Sequence, residues 1–195
     1  LHYICNQLVA HLQFDRKYQK LLNRKKMSQM KTIQAEKEVF IERIFQATPT
    51  VVFEAWTKPE HLVNWYTPDG CTIEFRFIEV KNGGSFHSVI RDPQHGDCWI
   101  KGIYHEVIFA EKLVFSMALT NEAGDLLEST EAGKSGDWPK TLVTTVHFIP
   151  FGDQTRLTLH QTVSEALAKE TGAYQSWLKM FNRLDRHIFN APKNQ

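Results

Sequence analysis

The chain has 195 residues, which suits one domain with some sequence to spare at an end. Apolar residues make up 42%, enough for a sizeable core, and the net charge of +1 gives no general attraction to nucleic acid or membrane. No apolar run approaches the roughly 18–20 residues that span a bilayer, so neither a nucleic-acid partner nor membrane insertion is expected.

The near-neutral total hides an asymmetry. Residues 1–26 hold six basic side chains (Arg16, Lys17, Lys20, Arg24, Lys25 and Lys26) against Asp15 alone, a balance of +5 that leaves −4 for the rest. A basic end on a mildly acidic body is either an interaction tail or a solvated segment. Ile4, Leu8, Leu12, Tyr18, Leu21 and Leu22 approximate helical spacing. Residues 1–30 therefore read as a basic extension, either an amphipathic helix or a segment outside the domain. The domain proper is expected over residues 31–195. Ile4–Leu12 is interrupted by Asn6, Gln7 and His11 and does not read as a signal peptide. Cys5, Cys71 and Cys98 are odd in number and widely spaced, with no CxxC pair. This pattern predicts reduced thiols in a cytoplasmic protein and offers no zinc ribbon.

From Glu38 the pattern is orderly. Glu38–Gln46, with Val39, Ile41, Ile44 and Phe45, reads as a first strand. Thr48 is placed as an N-cap and Pro49 as a first helical residue. Val52, Phe53 and Trp56 then give a short helix an apolar face. Pro59 stops it and opens a second, with Leu62, Trp65 and Tyr66 on its apolar side. Pro68-Asp69-Gly70 is a turn. Cys71–Val80 alternates Ile73, Phe75 and Phe77 with polar residues, and Asn82-Gly83-Gly84 signals a hairpin. Strands follow at Ser85–Arg91, Cys98–Phe109 and Lys112–Leu119, the first two separated by the loop Asp92–Asp97. Thr120–Lys140 lacks periodicity and reads as a long mobile loop. Thr141–Pro150 and Gln154–Val163 are the last strands. One long helix is expected over Ser164–Asn190, with Ser164 as N-cap. Its apolar stripe is Trp177, Met180, Phe181, Leu184 and Ile188.

Strand, two short helices, six strands and a long helix make an α+β domain. A curved antiparallel sheet of about seven strands must bury one face, and only the last helix is large enough to cover it. The two short helices plug one end, leaving a concave space of the kind that holds small ligands. Trp56, Trp65, Phe75, Phe86, Phe115, Trp177 and Phe181 are the aromatics expected to line it, although each is equally at home as core.

Several pieces also match a known family in order. They are Arg43-Ile44-Phe45-Gln46-Ala47, Val52-Phe53-Glu54-Ala55-Trp56-Thr57, Pro59-Glu60-His61-Leu62, Trp65 and Gly83-Gly84. Gly102-Ile103-Tyr104-His105-Glu106-Val107, Lys112-Leu113-Val114-Phe115, Thr155-Arg156-Leu157-Thr158-Leu159, Ser176-Trp177 and Leu184-Asp185-Arg186 continue the series. From about Glu38 to Ile188 the chain resembles the activator of heat-shock protein 90 ATPase homologue-like family, of the START-like or SRPBCC superfamily. The likeness is to a bacterial-type single-domain member. It departs from the family pattern at Ala47-Thr48-Pro49, at Glu79-Val80-Lys81-Asn82 and at Ser176-Trp177. The resemblance implies the helix-grip fold and a cytoplasmic, non-enzymatic domain for a hydrophobic small molecule. It also brings two alternatives: a chaperone-linked protein that stimulates a heat-shock ATPase, and a cyclase- or hydratase-type enzyme.

The residues themselves offer little catalysis. No nucleophile elbow, phosphate loop or zinc-helix motif occurs, and no cofactor is expected. His147 and His160 on the last two strands, with His87 and His105, are weighed as metal ligands and set aside because strand alternation also allows them the solvated face. Cys98 beside His95 is treated the same way. Glu74 and Arg76 share a strand face and read as an ion pair or as an acid–base pair. Open strand edges leave homodimerisation as a further expectation.

Overall fold

The computed structural model describes residues 37–190, apart from 129 and 132–136. The basic extension of residues 1–30 lies outside them. Seven strands form one sheet. They are β1 (Glu38–Phe45), β2 (Thr72–Ile78), β3 (Ser85–Asp92), β4 (Gly96–Ile108), β5 (Lys112–Thr120), β6 (Leu142–Phe151) and β7 (Gln154–Ser164). Their order is β1-β7-β6-β5-β4-β3-β2, and every neighbouring pair is antiparallel. Helices α1 (Pro49–Thr57) and α2 (Pro59–Trp65) follow β1, and α3 (Glu165–Glu170) and α4 (Ala173–Asn190) close the chain. No helix among the described residues is long and apolar enough to cross a membrane.

Alternation decides which face is inner. In β1, Val39, Ile41 and Phe45 are buried while Phe40 and Ile44 face outward and stay exposed. Leu157, Leu159, Gln161 and Val163 in β7, and Leu142, Thr144, Val146 and Phe148 in β6, are the inward sets of their strands.

The short helices break where their prolines require it. Lys58 is extended, with φ −93° and ψ 123°, and serves both as the C-cap of α1 and the N-cap of α2. A residue before proline is pushed out of the helical region, so one helix cannot run through. Thr48 caps α1 differently from expectation. Its side chain accepts no capping bond, and only its carbonyl accepts from Val52 N, at 3.1 Å. With Pro49 at the first position there is one fewer orphan N–H to satisfy.

The single C-terminal helix expected over Ser164–Asn190 is two helices. Ser164 does cap the first, its Oγ accepting from Leu167 N at 3.1 Å. The break is at Thr171-Gly172, where Gly172 has φ +77°. That left-handed turn is the usual glycine end to a helix, and it lets α4 leave in a new direction. Two loop expectations also change. Asp92–Asp97 is a tight turn inside the β3–β4 ladder, with Asp92 opposite Gly96 and its carboxylate accepting from Gln94 N at 2.8 Å. The segment after Thr120 starts as an ordered turn. Asp125 N donates to Asn121 Oδ1 at 2.9 Å, and Leu127 N donates to Leu119 O at 3.0 Å. Nor do Glu74 and Arg76 pair with each other. Glu74 bonds Arg91 at 3.0 Å and Arg76 bonds Glu122 at 2.6 Å, because cross-strand and loop partners lie nearer than the next residue on the same face.

Candidate binding site between sheet and helix

The helices do not cover the sheet evenly. The backbones approach most closely where α1 meets β6 and β7, α3 meets β1 and β7, and α2 meets β2, while α4 packs on the other three helices and reaches β1 and β7 through Phe181, Asp185 and Trp177. Under that cover Val39, Val146, Leu157 and Leu159 are 0–1% exposed. On β2 to β5 the inner face is different. Cross-strand register places Phe75, Ser88, Ile100 and Leu119 in one inward row, and Phe86, Gly102, Met117 and Leu142 in the next. Phe75, Ile100 and Met117 in these rows are only half-buried, although they pack against the core.

A third row crosses both halves. Tyr104, Phe115, Thr144, Gln161 and Val39 lie directly opposite one another from β4 to β1. At its covered end the polar groups satisfy each other. Gln161 Nε2 donates to Thr144 Oγ1 at 3.0 Å, and Trp177 Nε1 donates to Gln161 Oε1 at 3.3 Å. At its open end is Tyr104, 5% exposed. Its backbone is fixed by the turn before β3, since Tyr104 N donates to Gly84 O and Gly83 N to Tyr104 O, both at 2.8 Å. Burial pushes its hydroxyl pKa well up.

The helix side of the space is aromatic. Trp56, 3% exposed, lies 6.1 Å from Trp177 in a stacked pair and 4.8 Å from Trp65 edge-on, with Phe148 and Phe181 as further neighbours. Its indole N–H is buried without an acceptor, set among the ring faces of these neighbours, which replace only part of a hydrogen bond. Trp65 Nε1 donates to Ala55 O at 2.9 Å, joining α2 to α1. Tyr66 follows directly and sits 5.8 Å from Trp177. Its ring keeps part of its surface accessible, yet burial, and then Tyr104, raise its hydroxyl pKa strongly. Two clips hold this end of α2 on α4. Arg183 donates to Thr67 Oγ1 at 2.6 Å and to Asn64 O at 3.0 Å, and His61 Nδ1 meets His187 Nε2 at 2.9 Å.

The seven aromatics named from sequence thus fall into groups. Trp56, Trp65, Trp177 and Phe181 form one cluster where α1, α2 and α4 meet, and Phe181 is fully buried. Phe86 and Phe115 form a second cluster with Tyr104, at centroid distances of 5.6 to 6.4 Å. Phe75 stands on β2 at the open margin. The Phe86 ring lies against Gly102. A Cβ there would come within 2.3 Å of its ring and 2.4 Å of Ser116 O.

The sequence reading did not single out Tyr66, Tyr104, Thr144 or Gln161 as site residues. For the last two a signal was present, since a polar side chain interrupts the inward series Leu142–Val146–Phe148 and Leu157–Leu159–Val163. The four histidines weighed as metal ligands do not converge. His147 and His160 are each opposite a threonine, His160 pairs with Glu38 at 2.6 Å, His105 with Ser116 at 2.8 Å, and His87 with Thr120 at 3.3 Å. No group of three metal-ligating side chains occurs among the described residues.

A model of the family described as "Activator of Hsp90 ATPase homolog 1-like protein" matches residues 46–188. No curated protein matches. Among solved structures, a protein from Staphylococcus epidermidis is 20% identical with a TM-score of 0.67, over 82% of this chain and 93% of that one. Protein CV1439 from Chromobacterium violaceum is 18% identical with a TM-score of 0.64, over 78% and 96%. The AHSA1 protein from Silicibacter pomeroyi is 14% identical with a TM-score of 0.61, over 78% and 97%. These likenesses establish the fold.

Proposed function

Given that the chain belongs to the Activator of Hsp90 ATPase homolog 1-like family and has the helix-grip fold, we propose that it is a non-catalytic binding domain for a small apolar molecule, held on the open half of the inner sheet face. One observation carries this reading: Phe75, Ile100, Met117 and Tyr66 remain half-buried on the helix side of the sheet, whereas Val39, Val146, Leu157 and Leu159 under the helices are sealed. Apolar surface left accessible in a concavity is favourable to cover, at about 25 cal/mol per Å² removed from water. The ligand contacts fall to Phe75, Phe86, Phe115 and Tyr66, and Trp56, Trp65, Trp177 and Phe181 form the packed wall behind them. Catalysis asks for titratable groups converging on one point, whereas the polar groups of this interior are hydroxyls, an amide and indoles. Stimulation of a heat-shock ATPase rests on the family's description alone, an analogy from fold to function.

Titration with N-phenyl-1-naphthylamine tests the proposal. Saturable, one-to-one fluorescence enhancement is expected, abolished by Met117→Trp, which fills the open half. No enhancement up to the probe's solubility, or enhancement indifferent to Met117→Trp, contradicts it.

A further inference from the structure

We infer that the ligand is uncharged and carries a hydrogen-bond acceptor, above all a carbonyl oxygen, taken by the hydroxyls of Tyr66 and Tyr104 on facing walls of the open half. This rests on the binding reading above and names the chemistry of its occupant.

The buried polar residues are threonine, serine, histidine and glutamine. No Asp, Glu, Lys or Arg is buried among the described residues. Charged groups on the inner side stand at its margins. Arg43 on the β1 edge is paired with Asp185 of α4, and Asp92 lies in the β3–β4 turn. Arg183, beside Tyr66, already spends its donors on the Thr67, Pro68 and Asn64 oxygens, so a carboxylate or sulfonate brought into the interior would lose its water with no buried cation to meet it, a cost of several kcal/mol. An ammonium group fares little better. Trp56, the ring best suited to attract a cation, is occupied by Trp65, Tyr66, Phe148, Trp177 and Phe181.

The polar atoms also differ in what they need. Thr144, Gln161 and the Trp177 indole form a closed chain of bonds. The Tyr66 and Tyr104 hydroxyls have no hydrogen-bond partner among the described residues, and both keep some contact with open space. Tyr66 stands at the end of α2 beside Trp177, and Tyr104 on β4 is near enough to act on its hydroxyl. Burial raises the pKa of both, so each stays a protonated donor at all ordinary pH. A donor without an acceptor is satisfied by an acceptor from the ligand.

Three naphthalene probes test this on the intact chain. N-phenyl-1-naphthylamine is neutral, 8-anilinonaphthalene-1-sulfonate has the same skeleton with an anionic group, and 6-propionyl-2-(dimethylamino)naphthalene is a neutral ketone whose emission shifts to the red when its carbonyl accepts a hydrogen bond. The neutral amine is expected to bind at least about tenfold more tightly than the sulfonate. Tyr66→Phe and Tyr104→Phe are each expected to weaken the ketone about fivefold and shift its bound emission to the blue. The amine should bind both variants as it binds the parent chain, which also shows that they are folded. Equal affinity for amine and sulfonate, or ketone binding and emission unchanged in both variants, overturns the inference while leaving the binding reading intact. Failure of all three probes to bind removes both.

Discussion

The two halves of the sheet are written in the same alphabet and end in different environments. In β1, β7 and β6 the inward residues Val39, Leu157, Leu159 and Val146 are sealed. In β2 to β5 the inward Ile73, Phe86, Leu113 and Phe115 are buried as well, but Phe75, Ile100 and Met117 beside them, no less apolar, remain half-buried. The difference arises in the layer above. Helices α1 and α3 lie on the first half, and α4 reaches it through Phe181 on Phe45, Trp177 on Gln161 and Asp185 on Arg43, whereas only α2 meets the second half, at β2. Alternation therefore assigns a face, and the placement of the covering helices decides whether that face is sealed or left partly accessible.

The largest expected contrast is between truncations in the two halves. Phe181 is fully buried against Phe45, Trp56 and Trp177. Phe181→Ala should cost about 3–5 kcal/mol, read from denaturant unfolding. Met117→Ala should cost about 1 kcal/mol, since less area leaves contact. Equal losses would erase the distinction between sealed and open.

Gly102→Ala probes the open half from the opposite direction, by adding an atom. The new Cβ meets the Phe86 ring and Ser116 O. Overpacking of this kind costs about 1–3 kcal/mol. Because Phe86 must move, amine-probe affinity should change as well. A destabilised variant with unaltered probe binding would place Phe86 outside the site.

Gln161→Leu tests the closed polar chain at the sealed end. The volume is nearly kept, but Trp177 Nε1 loses its acceptor and Thr144 its donor. A loss of about 1–3 kcal/mol is expected, with probe binding unchanged. A neutral result would mean that these bonds serve no purpose in the folded state.

The smallest effect expected concerns pH and the clip between α2 and α4. Burial, and then His61, lower the His187 pKa. A histidine whose pKa is lowered on folding takes up protons on unfolding. Its stabilising contribution is therefore present above the ordinary value of about 6.5 and is lost as pH falls below it. His87, also lowered by burial, adds in the same direction. Nearby charges are engaged elsewhere, Asp185 by Arg43 and Arg183 by the Asn64 and Thr67 oxygens. His61→Gln with His187→Gln should flatten the fall in unfolding free energy between neutral and mildly acidic pH, leaving the His87 share. An unchanged pH profile would show that the pair is uncoupled from folding.

Most of the architecture is legible in the chain because it is written locally. Pro49 and Pro59 delimit the short helices, and the spacing of Trp177, Phe181 and Leu184 marks the buried face of α4. The misread elements are those where one residue overrides a periodic run. Gly172 splits the last helix inside a sequence whose flanks are both helical, and Asn121 turns a segment that has no periodicity to show it. Site residues are harder to read, since a row such as Tyr104–Phe115–Thr144–Gln161 draws one residue from each of four strands. Only the register brings them level. Trp56 and Phe75 look alike in sequence as aromatic residues on apolar faces, yet one is walled in and the other stands at an open margin.

The central claim is that one half of the inner face is open to a ligand and the other is not. Methyl NMR during titration with N-phenyl-1-naphthylamine reads both halves at once. The methyl signals of Ile100 and Met117 should move to saturation, while those of Val146, Leu157 and Leu159 stay in place. Shifts of equal size in both sets, or shifts in the second set alone, would contradict it.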